Sequence, residues 1–137
     1  MIVVIRISGM VNINKPVEET LYRLRLRRKY SCVIVSETKE TIGMLKKVRN
    51  FISYEKIDEN TLKELINKRG QSEDKKEKIN VEKVIKYLNE NKTLDGSGIK
   101  PFFRLHPPRG GINTKQHFPK GVLGENKEIN KLILRML

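Results

Sequence analysis

The stretch from Leu21 to Val35 (LYRLRLRRKYSCVIV) constrains the fold most, because its periodicity and its charge both change within a few residues. Apolar residues at helical spacing run to about Arg25, and a continuous apolar segment of strand length begins near Ser31. The sequence therefore predicts a helix and a buried strand joined by a cationic turn. No Asp or Glu occurs from Thr20 to Ser36, and the turn contains Arg25, Arg27, Arg28 and Lys29. Such a turn is either a solvated connection without further role or part of a surface for an anionic partner.

The net charge favours the second interpretation. The 137 residues include 29 Lys and Arg against 16 Asp and Glu, which gives a formal charge of +13 and a pI near 10.0. A small domain needs a net charge of only about 2 to 8 to stay in solution. Nucleic acid suits this charge better than a membrane surface, because the cations are spread over several elements and Trp is absent. We therefore expect a nucleic-acid partner and no membrane association.

The N-terminal segment MIVVIRISGMV resembles a targeting signal only in its apolar composition. It alternates like a strand and is interrupted by Arg6, so no targeting or transmembrane segment is predicted. The single cysteine, Cys32, lies in the apolar run after the cationic turn, and we expect a buried thiol in a reducing compartment.

The periodicity of residues 1–57 predicts an α+β unit of three strands and two helices. The strands are expected at 2–8, 31–36 and 51–57. The helices begin near Pro16 and after an N-cap at Thr38. This order predicts a three-stranded sheet covered by two helices on at least one face. The end of the second helix adds further cations, Lys46, Lys47 and Arg49.

Residues 58–137 predict a smaller helical extension. Helices are expected near 60–69, 80–91 and 126–137, with Asn80 and Asn126 as the N-caps of the last two. An extended basic arm, residues 98–124, lies between those last two helices.

The arm is the second informative stretch. It has no acidic residue, and its cations are Lys100, Arg104, Arg109, Lys115 and Lys120. Flat side chains alternate with them, namely Phe102, Phe103, His106, His117 and Phe118. Such an arm suits a phosphate-lined groove, in which its rings would stack on unpaired bases. The alternative is that Phe102, Phe103 and Leu105 pack as a short edge strand.

Catalytic and metal-binding patterns are weak. The two histidines lack cysteine or carboxylate neighbours, and neither a nucleophile elbow nor a phosphate-binding loop occurs. We therefore expect no cofactor, no metal and no catalysis.

Short motifs along nearly the whole chain resemble one family. In the first part they are Leu24-Arg25-Leu26-Arg27-Arg28, Ile42-Gly43-Met44 and Lys47-Val48. In the second part they are Glu64-Leu65-Ile66, Lys68-Arg69-Gly70, Phe103-Arg104-Leu105, Pro108-Arg109-Gly110-Gly111, His117-Phe118 and the segment from Ile129 to Ile133. The chain resembles the large-ribosomal-subunit protein family called L thirty in bacteria and archaea and L seven in eukaryotes, in its longer archaeal form. Arg25 stands where bacterial members usually have a helix-stopping glycine.

The resemblance implies a ferredoxin-like core, residues 1–57, and an archaeal or eukaryotic type of extension. It implies a structural constituent of the large ribosomal subunit, located in the cytoplasm on the ribosome. Two alternatives to this role remain open: a nonribosomal RNA-binding or RNA-processing factor that uses the same surfaces and, more distantly, an RNA-acting enzyme with His106 or His117 as general base. The implied partners are large-subunit ribosomal RNA, with the small rRNA of that subunit as a further candidate, and neighbouring ribosomal proteins. The implied RNA-binding residues are Arg25, Arg27, Arg28, Lys29, Lys46, Lys47, Arg49, Arg104, Arg109, Gly110, Gly111, Lys115 and His117; Lys120 joins them as the last cation of the arm.

Overall fold

The centre of the fold is a β-sheet whose middle strand is the apolar N-terminal segment. The computed structural model describes residues 1–7, 14–70, 80–91, 100, 102–111, 116, 118 and 120–137. The first elements are β1 (Ile2–Arg6), α1 (Lys15–Arg23), β2 (Ser31–Val35), α2 (Lys39–Lys47) and β3 (Ile52–Lys56). The later elements are α3 (Glu59–Arg69), α4 (Val81–Asn91), β4 (Phe103–Arg104), β5 (Gly124–Glu125) and α5 (Ile129–Met136). None of the helices in these ranges is long and apolar enough to cross a membrane.

The strands of the described chain form one five-stranded sheet in the order β4-β2-β1-β3-β5. β1 is antiparallel to both β2 and β3, so those two are parallel to each other and are connected through α2 across β1. This is the split β-α-β arrangement of a ferredoxin-like fold. β4 is antiparallel to β2 at one edge, and β5 is parallel to β3 at the other.

The α+β, ferredoxin-like class is confirmed, but the sequence predicts too few strands. The additional strands, β4 and β5, come from the extension and have two residues each. A two-residue strand shows no alternation of apolar and polar residues, so the periodicity that reveals β1 to β3 does not reveal them. For Phe103 the edge-strand alternative is correct, because it pairs with Cys32 of β2.

Alternate residues of β1 point into two different cores. Ile2 and Val4 pack with residues of α1 and α2, whereas Val3 and Ile5 belong to a second cluster on the opposite face. Cys32 lies fully buried in that second cluster, as expected, and burial raises the pKa of its thiol. The cluster is closed by Leu62, Leu65, Ile66, Val84, Ile85, Leu88, Ile129, Leu132, Ile133 and Met136. The extension therefore supplies a whole helical layer, and the sheet is covered on both faces.

Two predicted N-caps are present. The side-chain oxygen of Thr38 accepts the N–H of Thr41 at 3.2 Å at the start of α2. At the start of α4, Asn80 Oδ1 accepts the N–H of Glu82 at 3.1 Å. These caps follow from local sequence, because donor and acceptor lie within three residues of each other.

The predicted cap at Asn126 is wrong, since α5 begins later, at Ile129. Asn126 is held at the end of β5 by its N–H, which donates to the carbonyl of Tyr54 at 3.0 Å. Its buried side chain donates to Ser53 Oγ at 3.3 Å, and its Oδ1 accepts the N–H of Glu128 at 2.9 Å. Pairing with β3 therefore keeps Asn126 out of the helix and makes it a link between the sheet and α5.

A fragment of residues 1–57 tests how far the N-terminal unit depends on the extension. The core between the sheet and α1 and α2 is formed almost entirely within this fragment, so we expect a cooperative thermal transition. The opposite face of β1 and β2 loses its cover, so the fragment should melt below the full chain and bind a hydrophobic dye. Circular dichroism melts and dye fluorescence measure the two effects. Equal melting temperatures without dye binding would contradict the shared core.

Candidate nucleic-acid interface

One end of the sheet collects the segments in which the sequence concentrates its cations. β1 ends there at Arg6, which pairs with Ile52 at the beginning of β3. β2 begins at the same end, because Ile5 pairs with Cys32. The turn after α1 leads into β2 and the turn after α2 leads into β3, so both turns lie at this end. We call it the cationic end.

The arm reaches the cationic end from both edges of the sheet. Arg104 of β4 pairs with Ser31, and the N–H of Leu105 donates to the carbonyl of Tyr30 at 3.0 Å. On the other edge, β5 runs parallel to β3, so residues 120–123 precede it at the same end. Two segments far from the turn in sequence are thereby placed beside it.

The turn after α1 has the hydrogen bonds of a Schellman motif. The N–H of Leu26 donates to the carbonyl of Leu21 at 2.9 Å, and the N–H of Arg25 donates to the carbonyl of Tyr22 at 3.0 Å. Arg25 adopts a left-handed conformation, with φ of 61°, in the position that glycine usually occupies. For a residue with a Cβ this conformation costs about 1–2 kcal/mol. The protein therefore keeps a cation at a position where glycine would be less strained.

Arg6 of β1 supports this turn through a buried contact, a role that the sequence pattern alone does not predict. Its side chain is 5% exposed and donates from Nη1 to the carbonyl of Leu26 at 2.6 Å. Its own carbonyl accepts the N–H of Tyr30 at 2.7 Å. Burial lowers the pKa of Arg6, yet a guanidinium stays charged at neutral pH. The signal that could have revealed this contact is a lone arginine within an otherwise apolar strand.

A surface cavity of about 340 Å³ lies between the cationic turn and the arm. It is lined by Arg25, Arg27, Arg28, Ser31, Phe102 and Arg104. Arg27 Cζ lies 5.6 Å from the ring centroid of Tyr22, and Arg104 Cζ lies 5.7 Å from that of Phe102. Such cation–π contacts restrict long side chains without neutralising them. The structure thus brings four predicted arginines together around one cavity.

Carboxylates lie elsewhere along the chain. The sequence has no Asp or Glu in residues 20–36, 41–54 or 98–124, which supply the cationic end. Ion pairs between described residues include Lys56 with Glu37 at 3.5 Å and Lys131 with Glu128 at 3.9 Å. Lys56 is the last residue of β3 and Glu37 follows β2, so this pair lies at the opposite end of the sheet. Positive charge at the cationic end is therefore concentrated rather than balanced.

The other predicted residues are exposed around this region. Lys29 Nζ lies 5.1 Å from the ring centroid of Tyr30. The last turn of α2 carries Lys46 and Lys47, and the following turn contains Arg49. Lys120 precedes β5. The remaining predicted residues, Lys115 and His117, lie outside the described residues.

The arm turn, residues 108–111, is held by the last turn of α5. Arg135 Nε donates to the carbonyl of Arg109 at 3.0 Å, and Arg135 Nη2 donates to the carbonyl of Gly111. In return, the carbonyl of Arg135 accepts the N–H of Arg109 at 3.0 Å. Gly110 and Gly111 have φ of 84° and 74°, a conformation that favours glycine. Arg135 is a second positioning residue that the sequence pattern does not reveal, because its partners are backbone atoms of a distant segment.

The flat side chains of the described arm divide between core and surface. Phe103 is fully buried, so it is not available for stacking on a base, and Phe102 is half-buried beside the cavity. His106 is exposed, with Nδ1 2.7 Å from the carbonyl of Pro107. Within the described ranges, no group of His, Cys, Asp and Glu could hold a metal ion.

The fold and its charge define a small, strongly basic α+β protein with one cationic end. The chain belongs to the ribosomal protein L30p/L7e family, whose pattern matches residues 2–52. It is 38% identical to large ribosomal subunit protein uL30 of Archaeoglobus fulgidus, over 99% of both chains. The protein of the same name from Nanoarchaeum equitans is 39% identical over 98% of this chain and 97% of the relative. The one from Methanosphaera stadtmanae is 38% identical over the full length of both.

These relatives confirm the resemblance to the longer archaeal form over the whole chain, including the extension. Membership of this family makes the chain a structural ribosomal protein rather than an enzyme.

Replacing Arg25 with glycine should separate folding from binding. We expect Arg25→Gly to raise the free energy of unfolding by about 0.5–1 kcal/mol, because strain relief exceeds the extra freedom of glycine in the unfolded chain. RNA affinity should fall. The slope of log affinity against log salt should become less steep by about 1, the contribution of one phosphate contact. Thermal melts and RNA titrations measure both. Arg25→Lys is the control that keeps charge and strain, and a lower melting temperature for Arg25→Gly would refute the strain assignment.

Removing the Arg135 contacts should loosen the arm turn. We expect Arg135→Lys, which keeps the charge but not both carbonyl contacts, to speed hydrogen exchange at the Arg109 amide. The matched control is Arg109→Ala, which keeps the backbone bonds. It should leave exchange and melting temperature unchanged but weaken RNA binding by about 1.5–3 kcal/mol. Unchanged exchange in Arg135→Lys would mean that the turn is held by other contacts.

Proposed function

We propose that this protein is a structural constituent of the large ribosomal subunit and binds ribosomal RNA through its cationic end. The observation that carries the proposal is the convergence of cationic segments from distant parts of the chain at one end of the sheet. Charge that only served solubility would have no reason to converge in this way. The names of the relatives support the ribosomal setting, and the cationic end supplies the chemistry for an RNA partner.

The arginines of the cationic end suit backbone phosphates. A guanidinium donates two parallel hydrogen bonds to one phosphate, and such charge-assisted bonds are about twice as strong as neutral ones. Around the cavity these donors are Arg25, Arg27, Arg28 and Arg104. The rings of Tyr22 and Phe102 restrict the side chains of Arg27 and Arg104, so these two arginines lose less conformational entropy when RNA binds. Contacts of this kind position the protein on RNA without reading its sequence.

The cations outside the cavity would extend the contact along the RNA. The end of α2 and the turn after it supply Lys46, Lys47 and Arg49. The arm turn, which is held by Arg135, adds Arg109 as a further donor. Lys29 and Lys120 complete the described set, while Lys115, His117, Gly110 and Gly111 enter the proposed interface through the family resemblance. The partners are large-subunit rRNA, with the small rRNA of the subunit and neighbouring ribosomal proteins as further candidates, and the location is the ribosome in the cytoplasm.

The opposite end of the sheet gives the proposed interface a direction. Four carboxylates lie where β2 and β3 end or just after them: Glu37, Glu55, Asp58 and Glu59. Glu37 pairs with Lys56 at 3.5 Å and Glu59 with Lys63 at 3.9 Å, so positive charge at this end is balanced and attracts phosphates less than the cationic end does. RNA is therefore expected on the cationic end, and the opposite end is expected to face solvent or protein.

Sedimentation of cell lysate tests the proposal. The protein should comigrate with large subunits at near-stoichiometric amounts in a density gradient. The double variant Arg27→Gln and Arg28→Gln should shift toward the top of the gradient as salt is raised, because it lacks phosphate contacts. The matched control, Lys56→Gln and Lys131→Gln, makes the same change in net charge at the end of β3 and the start of α5, away from the cationic end.

Equal release of the two double variants would show that total charge, not the cationic end, holds the protein. Comigration with RNA other than the large subunit would instead favour a nonribosomal RNA-binding factor.

A further inference from the structure

We propose that the cavity between the cationic turn and β4 receives a single unpaired nucleotide of the bound RNA. This inference rests on the proposed function and makes it more specific, because it names the element of RNA structure that the protein recognises. The sequence predicts the arginines as phosphate contacts, but it does not predict a concave site with an aromatic wall. That site exists only because β4 pairs with β2.

Strand alternation determines which side chains form the cavity. Phe103 points into the core shared with the extension, so its neighbours Phe102 and Arg104 lie on the other face of the sheet. Ser31 pairs with Arg104 and lies on that same face. Ser31 is 6% exposed and forms the floor, while Phe102 packs against the core beneath α1 and α2. The floor and one wall are therefore rigid parts of the fold.

The chemistry of the lining matches the two parts of a nucleotide. The Phe102–Arg104 pair offers an aromatic ring and a guanidinium, and both kinds of surface stack on RNA bases. Arg25, Arg27 and Arg28 line the cavity from the turn and supply donors for the phosphate of that nucleotide. The volume of about 340 Å³ lies within the range of about 300–1,000 Å³ that is typical of small-molecule sites.

An unpaired nucleotide fits this shape better than a paired one. In a duplex the bases are stacked inside and the phosphates lie on a convex surface, so a duplex alone would leave the concave site unfilled. A nucleotide that leaves the stack places its base inside and its phosphate at the rim. One nucleotide then contacts the arginines of the turn and Arg104 of β4. The phosphates of neighbouring nucleotides contact the rest of the cationic end.

Two RNA hairpins that differ in one nucleotide test this inference on the full-length protein. One contains a single unpaired 2-aminopurine nucleotide in its stem, and the other is fully paired. We expect the first to bind about tenfold more tightly, as one base stacked on protein allows. Its 2-aminopurine fluorescence should also be quenched on binding, because stacking quenches this base.

The variant Phe102→Leu keeps an apolar side chain against the core but removes the ring. It should abolish the preference for the unpaired hairpin and leave affinity for the paired hairpin unchanged. The control Lys47→Gln, in the last turn of α2 and outside the cavity lining, should weaken binding of both hairpins equally, because it removes a phosphate donor that both can use. A thermal melt shows whether the Phe102→Leu protein is folded. The inference does not depend on this variant, because binding of the two hairpins to the unaltered protein already tests it.

The outcomes separate this inference from the proposed function. Measurable but equal binding of the two hairpins, without quenching, would overturn the nucleotide site and leave RNA binding by the cationic end intact. Absence of binding to either hairpin at low salt would instead overturn the proposed function. Free adenosine monophosphate at the same concentration should not displace the RNA, because it lacks the flanking phosphates; displacement would overturn the assignment to a nucleotide within RNA.

Discussion

The apolar character of β1 on both faces is the constraint on which the rest of the structure depends. Ile2 and Val4 need a helical layer on one side of the sheet, and Val3 and Ile5 need another on the opposite side. Burial of each such side chain stabilises the fold by about 1.5–3 kcal/mol, so an open face would be strongly unfavourable. α1 and α2 cover only one face, and α3, α4 and α5 must therefore pack on the other. The extension is in this sense part of the core rather than an appendage.

Packing of the extension also determines where its cations lie. When α5 packs on the second face, its C-terminal turn is close to the cationic end. Arg135 in that turn forms hydrogen bonds with the backbone of the arm turn. β4 pairs with β2 and brings Arg104 beside the turn that contains Arg25. Like charges at short distance repel one another, so the free protein holds this surface at some expense of stability. A bound polyanion removes that repulsion, which explains why such a surface suits a protein that works inside a ribonucleoprotein.

The turn after α1 shows a conflict between local stability and charge. Glycine would fit the left-handed position with less strain, yet the chain has Arg25 there, supported by the backbone bonds to Leu21 and Tyr22. Arg6 adds a buried bond from the strand below. Strain that is held in place by the surrounding structure is typical of functional positions. Helical periodicity predicts that α1 ends near Arg25, but it does not predict the left-handed conformation of Arg25, because apolar spacing reports side-chain faces and not backbone angles.

The sequence by itself determined the elements of residues 1–57, the caps at Thr38 and Asn80, the family and the position of the cations along the chain. These features depend on side-chain period, on contacts within a few residues and on composition. Only the tertiary structure decided the five-stranded sheet, the position of Asn126 outside α5, the roles of Arg6 and Arg135, and the cavity beside Phe102. Each of these depends on hydrogen bonds or packing between segments far apart in sequence. Such contacts leave no local period, because their partners are backbone atoms and strand edges that any sequence presents.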